Sequence, residues 1–476
     1  MVSARVAQWG LRQTWDAGLD KNLLDGRGWY IYRPGPESCQ FRALRRYHRV
    51  TASTLVEKII ARAAGQATVK TGDIVTCKVD LAFAHDSSGP RRWKPMLEEL
   101  GVGLWDPARV VIASDHYVPA VDAESAAILK LTREFVRDQR VGRFFDMKGI
   151  AHTLLPAHGL LKPGMFVAGG DSHSCHGGAF GCYISGYGAA DMVAIVATGE
   201  TWINVPEVDL VSWDGVLPEG VTSKDIMLFL CRELGMDNAF RAAEFAGSTV
   251  GAMSMDERMV LSNMTAELGF DAGVIAPDSV TLQHIRAHGG EADDTLLAWR
   301  SDADARFARR FAFDAASLVP QVAAPHSPAN SGPARDARGV RIDQAYVGAC
   351  VGAKLEDLRM VARVLEGRQV ASGVRLVVAP ASSQITEQAS REGILATILA
   401  AGGALLPSGC GACAGMGAGL LAAGEVCIST TNRNFKGRMG HDGADVWLGS
   451  PYTVAASAVA GEIRDPRDLL AEGQAR

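Results

Sequence analysis

From Thr51 onward the chain alternates between two hydrophobic rhythms. The segment "TASTLVEKIIARAAG" sets Leu55, Ile59 and Ile60 on one face of a helix that Thr51 or Ser53 caps and Gly65 ends. Short unbroken apolar runs follow, "RVVIASDH" at 109–116 and "GMFVAGGDSH" at 164–173, with the helix-spaced "AESAAILKLTREFVRDQR" between them. Strand–helix alternation of this kind predicts an α/β fold with mixed or parallel sheets flanked by helices. In such sheets ligands bind beyond the carboxyl ends of strands, which is where Asp115, His116, Asp171 and His173 fall.

The rhythm changes along the chain and suggests its divisions. Residues 1–50 are rich in Arg, Trp and Tyr without clear periodicity, and the basic run "RALRRYHR" reads as a solvated tail or linker. A first α/β domain is expected over 51–215 and a second, more helical one over 216–316. The Ala- and Pro-rich stretch 317–340 reads as a linker. A third α/β domain, 341–476, opens with the strand-like "RIDQAYVGAC" and the helix-like "KLEDLRMVARVLEGRQV".

Composition narrows the function classes. With 476 residues, 47% hydrophobic and 21% charged, the chain has an ordinary globular make-up. A net charge of −5 gives no footprint for nucleic acid. No apolar run reaches the ~20 residues that span a bilayer, and the N-terminus lacks a secretory apolar core. Nine cysteines without a leader favour thiols and metal ligands in a reducing cytoplasm over a disulfide framework.

Candidate chemistry concentrates at a few loops. Cys410 and Cys413, in "GCGAC", and Cys350 lie after apolar stretches of the third domain. Their spacing admits an iron–sulfur cluster with one open iron, a zinc site completed by Cys427 or His441, a redox disulfide, or inert buried thiols. Asp115–His116, Asp171-Ser172-His173, His85–Asp86, His152 and Glu267 are acid–base candidates, because a carboxylate beside an imidazole fixes its tautomer and favours its charged form. Satisfied structural histidines are the plainer reading of His284, His288 and His326. In "TTNRNFKGRMG", Arg433 and Arg438 can hold carboxylates in their guanidinium forks.

Taken in order, "DHYVPA", "GIAHTLLPAHGLLKPGMFVAGGDSHS", "SNMTAELGFDAGVIAPD", "GACVGAKLEDLR", "GCGACAGM", "STTNRNFKGRMG" and "SPYTVAASAVAGEI" resemble the aconitase family, above all its 3-isopropylmalate dehydratase and homoaconitase large subunits. The likeness runs from about residue 51 to 470 and implies a three-domain aconitase-like architecture without the swivelling fourth domain. It implies a [4Fe–4S] cluster on Cys350, Cys410 and Cys413, whose fourth iron acts as Lewis acid. It implies the pairs Asp115 with His116, Asp171 with His152 and Glu267 with His173 as proton-delivering and orienting groups. Ser172, Arg433 and Arg438 then contact substrate carboxylates, and Asn263 and Asn432 hydrogen-bond near the cluster. The expected reaction is reversible loss and re-addition of water on a hydroxylated di- or tricarboxylate such as isopropylmalate. Homocitrate, citramalate and dimethylmalate types are the alternatives.

The family's serine base, from an Arg-Gly-Ser-Ser-like loop, has no counterpart here, so a small partner subunit is expected to supply it. Ser248 belongs to a different family segment. The chain departs from the family at Ala349-Cys350-Val351-Gly352, where Ser-Cys-Thr-Asn is usual, and at Tyr117, Cys175 and His176. Competing expectations from other classes are a non-catalytic regulatory paralogue and an RNA-binding relative.

Overall fold

The central strands of the first sheet are buried on both faces, and that decides its architecture. Leu81–His85, Val110–Ser114 and Phe166–Gly169 show no exposed position, as strands covered by helices on each side require. The computed structural model describes residues 52–474; the expectations for the N-terminal fifty residues and for Thr51 as a cap lie outside that range.

Three sheets organise the described residues. The first is wholly parallel, with spatial order Arg143–Asp146, Val110–Ser114, Leu81–His85, Phe166–Gly169, Tyr183–Gly186. Its register pairs Ala82 with Val110 on one side and Leu81 with Val167 on the other. The second, also parallel, runs Ala272–Ile275, Arg241–Ala246, Glu207–Asp214, Arg309–Asp314. The third is mixed: five parallel strands from Asp445–Gly449 to Ala404–Leu405, extended antiparallel by Gln321–Ala323 and Ser331–Pro333. A separate antiparallel ribbon pairs Ile74–Lys78 with Glu200–Asn204.

Several expectations shift at their edges. The cap of the first described helix, Leu55–Ala63, is Thr54 rather than Ser53, because Glu57 stands three residues after Thr54 and completes a reciprocal capping box. Strand Glu207–Asp214 precedes the expected 215/216 division, yet it forms the middle of the second sheet. Residues 317–340, expected as a linker, place two short strands on the third sheet. Their apolar side chains explain this: Val322, Ala323, Ala334 and Ala337 join a core shared with Trp213 and Phe245 of the second sheet and Val347 of the third. No helix among the described residues is long and apolar enough to cross a membrane.

Candidate active site

The site gathers where strands of the first and third sheets end. Asp115 directly follows Val110–Ser114, Asp171 follows Phe166–Gly169, and Cys350 is the third residue after Gln344–Val347. Asn432 and Arg433 follow Val426–Ser429. Cys410 caps a single 3₁₀ turn, Gly411–Ala414, that contains Cys413, and the Cys410 N–H donates to the Asp115 carbonyl at 2.8 Å, tying the two sheets together at the site.

Each expected imidazole–carboxylate pair is a hydrogen bond. The His116 Nδ1 lies 2.6 Å from Asp115 Oδ1, while Asp115 Oδ2 accepts the Ala151 N–H at 2.8 Å. His152 Nε2 lies 2.9 Å from Asp171 Oδ1, and His173 Nε2 lies 2.7 Å from Glu267 Oε1. Burial works against the charged His116 ring, but the Asp115 carboxylate outweighs it and holds the imidazole at about 9. Burial would raise Asp171 and Glu267, yet donors from His152 on Asp171, and from His173 and Arg433 on Glu267, hold both below the usual carboxylate range.

The arginines differ. Arg433 Nε donates to Glu267 at 2.9 Å, and its Nη1 donates to Ser172 Oγ at 2.9 Å, so it links the third sheet to both expected neighbours. Arg438 is not brought into that network; its Nε is buried without a hydrogen-bond partner. Asn263 Nδ2 donates to Cys350 Sγ at 3.2 Å, and Asn432 donates to Asn263 Oδ1.

His85 is drawn in more closely than its sequence position alone conveys. Its ring stacks on His116 with centroids 3.8 Å apart, and its Nε2 lies 3.3 Å from Asp171 Oδ2. Its Nδ1 accepts the Ser87 and Ser88 N–H groups, which places the proton on Nε2. Asp86 accepts the backbone N–H groups of His116 and Tyr117, at 3.1 Å each. Two buried lysines carry no sequence signal that marks them. Lys224 Nζ donates to the Thr431 carbonyl at 2.6 Å, beside Asn432, and Lys354 Nζ donates to Asp357 at 2.7 Å. The Val118–Pro119 peptide is cis.

Within the departure around Cys350, the glycine is matched by its packing. A Cβ on Gly352 would meet Thr430 Cβ and Oγ1 at 2.2 Å, so no side chain fits there in this backbone. Thr430 Oγ1 instead accepts the Gly348 N–H at 2.9 Å. The amides that reach the Cys350 sulfur come from Asn263 and Asn432.

Among the described residues, the one set of metal-binding side chains whose ligand atoms all lie within 4.8 Å of one another is His85, Asp86, Asp115 and His116.

The family model "Aconitase family (aconitate hydratase)" matches residues 57–337 and 330–461. The chain is 43% identical over 420 residues to the 3-isopropylmalate dehydratase large subunit 1 of Methanopyrus kandleri, covering 88% of this chain and 99% of that protein. It is 40% identical over 426 residues to a probable methanogen homoaconitase large subunit of Methanothermobacter thermautotrophicus, covering 88% and 99%. Among solved structures, the holo-form of Thermococcus kodakaraensis aconitase X aligns with a TM-score of 0.45 and 13% identity, over 75% of this chain and 84% of that one.

Proposed function

The chain belongs to the aconitase family, and from that premise we propose that it is the cluster-bearing large subunit of a hydro-lyase that interconverts 2- and 3-isopropylmalate. The carrying observation is the convergence of three imidazole–carboxylate pairs and the Arg433–Ser172 contact around loops that present Cys350, Cys410 and Cys413. The names of its relatives support isopropylmalate as substrate.

The donor set fits an iron–sulfur cluster. Burial pushes the Cys350 thiol up to about 12 and Cys410 well above the ordinary thiol range, so these sulfurs need a cation to become anionic. The amide N–H groups at Cys350 suit a sulfur that has lost its proton. When bound, a [4Fe–4S] cluster with one iron lacking a cysteine supplies Lewis acidity toward substrate oxygens.

The chain's own residues then have separable tasks. Because Asp115 engages Nδ1, His116 offers the proton on Nε2 to a departing hydroxyl, which leaves as water. The matching proton comes off the carbon beside a substrate carboxylate. We assign that removal to a serine in the swivelling domain of a small partner subunit, a reading supported by the "large subunit" names of the relatives. Ser172 and Arg433 orient one substrate carboxylate, and the unpartnered Arg438 Nε is a donor in reserve for another. Eight described cysteines, all free thiols, suit a reducing cytoplasm.

The homoaconitase relative favours a second reading, a tricarboxylate substrate. Both are tested by anaerobic purification with the candidate small subunit, iron and sulfide analysis, and a screen of isopropylmalate, homocitrate, citrate, citramalate and dimethylmalate for an unsaturated product. About four irons per chain, with turnover of isopropylmalate that is lost when the small subunit is left out, is the expected result. Turnover of homocitrate alone selects the second reading. Stoichiometric zinc, or a loaded cluster inert toward every acid, overturns both.

A further inference from the structure

Asn263 and Asn432 form a facing amide pair, and such a pair has two nearly equivalent arrangements. In the observed one, Asn432 Nδ2 donates to Asn263 Oδ1, which leaves Asn263 Nδ2 on the Cys350 sulfur at 3.2 Å. Asn432 Oδ1 then stands 3.9 Å from the sulfurs of both Cys350 and Cys413. Flipping both amides together keeps the bond between them. It would turn the Asn263 oxygen onto Cys350 and the Asn432 nitrogen toward both thiols. Nothing within the pair selects the first arrangement.

A third side chain breaks the tie. His176 Nδ1 lies 3.0 Å from Asn263 Nδ2. In the observed arrangement the Asn263 amide nitrogen gives one hydrogen to Cys350 Sγ at 3.2 Å. Its second hydrogen then points at His176, whose Nδ1 must be the bare nitrogen. The ring proton sits on Nε2, which is buried without a partner. His176 is 1% exposed and Asn263 is fully buried, so no water competes for this contact. Burial, with His152, Lys354 and His173 adding to it, holds the imidazole well below its ordinary range and keeps it neutral. The backbone is fixed as well, since Cys175 Sγ donates to the Asn263 carbonyl at 3.1 Å.

We propose that His176 is a positioning residue for the cluster: its bare Nδ1 holds the Asn263 amide in the one orientation that donates to the Cys350 sulfur. The inference rests on the cluster reading above. A donor on a ligand sulfur stabilises the more negative, reduced cluster and so raises its potential. Removing the acceptor frees the amide pair to flip.

The test uses the anaerobically reconstituted chain with its small subunit, comparing wild type, His176→Leu, His176→Ala and His176→Asn. The Asn variant keeps an acceptor near the Nδ1 position. Iron and sulfide content, the EPR spectrum of the reduced cluster and its midpoint potential are measured. The Leu and Ala variants are expected to hold the same iron and sulfide, with a lower midpoint and altered g values, and the Asn variant to return both toward wild type. If Leu does not fold, Ala carries the comparison. An unchanged potential and spectrum in the loss variants, or an Asn variant shifted as far as they are, overturns the inference and leaves the cluster reading standing. Wild-type protein that takes up no [4Fe–4S] cluster overturns both.

Discussion

Asp115 and His116 are neighbours in sequence, yet three other segments set their chemistry. Ala151 and Cys410 hold Asp115 through its side chain and its carbonyl, and His85 stacks on the partner ring. Replacing Asp115 with Asn leaves the shape and removes the charge that keeps His116 protonated. Turnover should fall about 10²–10⁴-fold. In wild type the acid function should persist until the pH passes about 9. The linkage has a definite sign: the folded value of His116 is raised above its ordinary 6.5, so its stabilising contribution is complete below about 6.5 and is lost as the pH rises through about 9. In the Asn variant the high-pH limb of the rate profile should move down, which a pH–rate series reads directly. Adjacency in sequence made this pair legible. It did not place His85 on Asp171, because 86 residues separate them and only the parallel pairing of their strands brings them together.

At the scale of elements, helix starts and strand ends were largely legible, since capping residues and apolar runs are local signals. Thr54 with Glu57 shows how sharp such a signal is, and how a one-residue error arises when the reciprocal partner is overlooked. The short strands Gln321–Ala323 and Ser331–Pro333 left no such signal. They are three residues each, rich in Ala, Gly and Pro, and are strands because they pair beside Asp445–Gly449. The start of helix Met255–Asn263, which ends at the cluster amide Asn263, carries a titration of its own. Burial, aided by the Glu356 carboxylate, raises Glu257 from 4.5 to about 7. A raised carboxylic acid favours the fold while protonated, so that contribution is present below about 4.5 and disappears as the pH climbs through about 7. Glu257→Gln should therefore melt higher than wild type at pH 8, by about 1 kcal/mol after allowance for solvent screening, and match it at pH 4.5. Thermal unfolding at the two pH values checks the sign.

Across the whole molecule, the site exists because elements from all three sheets are locked together. Lys224 is one of the locks. It rises from helix Ser223–Glu233, crosses 206 and 207 residues of sequence, and caps the carbonyls of Thr430 and Thr431 just before Asn432 and Arg433. Burial brings its ammonium down to about 8, with the Glu267 carboxylate opposing. Lys224→Met should leave both carbonyls without that donor, cost about 2–4 kcal/mol of stability and raise the substrate KM through a displaced Arg433. Calorimetry on the apoprotein separates the stability effect from the effect on binding.

By itself the sequence determined the α/β class, the strand-end loops and the Asp115–His116 neighbours, because each is written as a short motif or a local hydrophobic period. The partners of His152 and His173 and the grouping of the three cysteines followed from the resemblance to the family, whose motifs lie far apart along the chain. Only the tertiary structure decided which carboxylate His85 meets, that 317–340 belongs to the third sheet's edge, why Gly352 cannot carry a side chain, and which way the Asn263 amide turns. Those outcomes depend on close contacts between residues tens to hundreds of positions apart. Packing, not local preference, sets such distances.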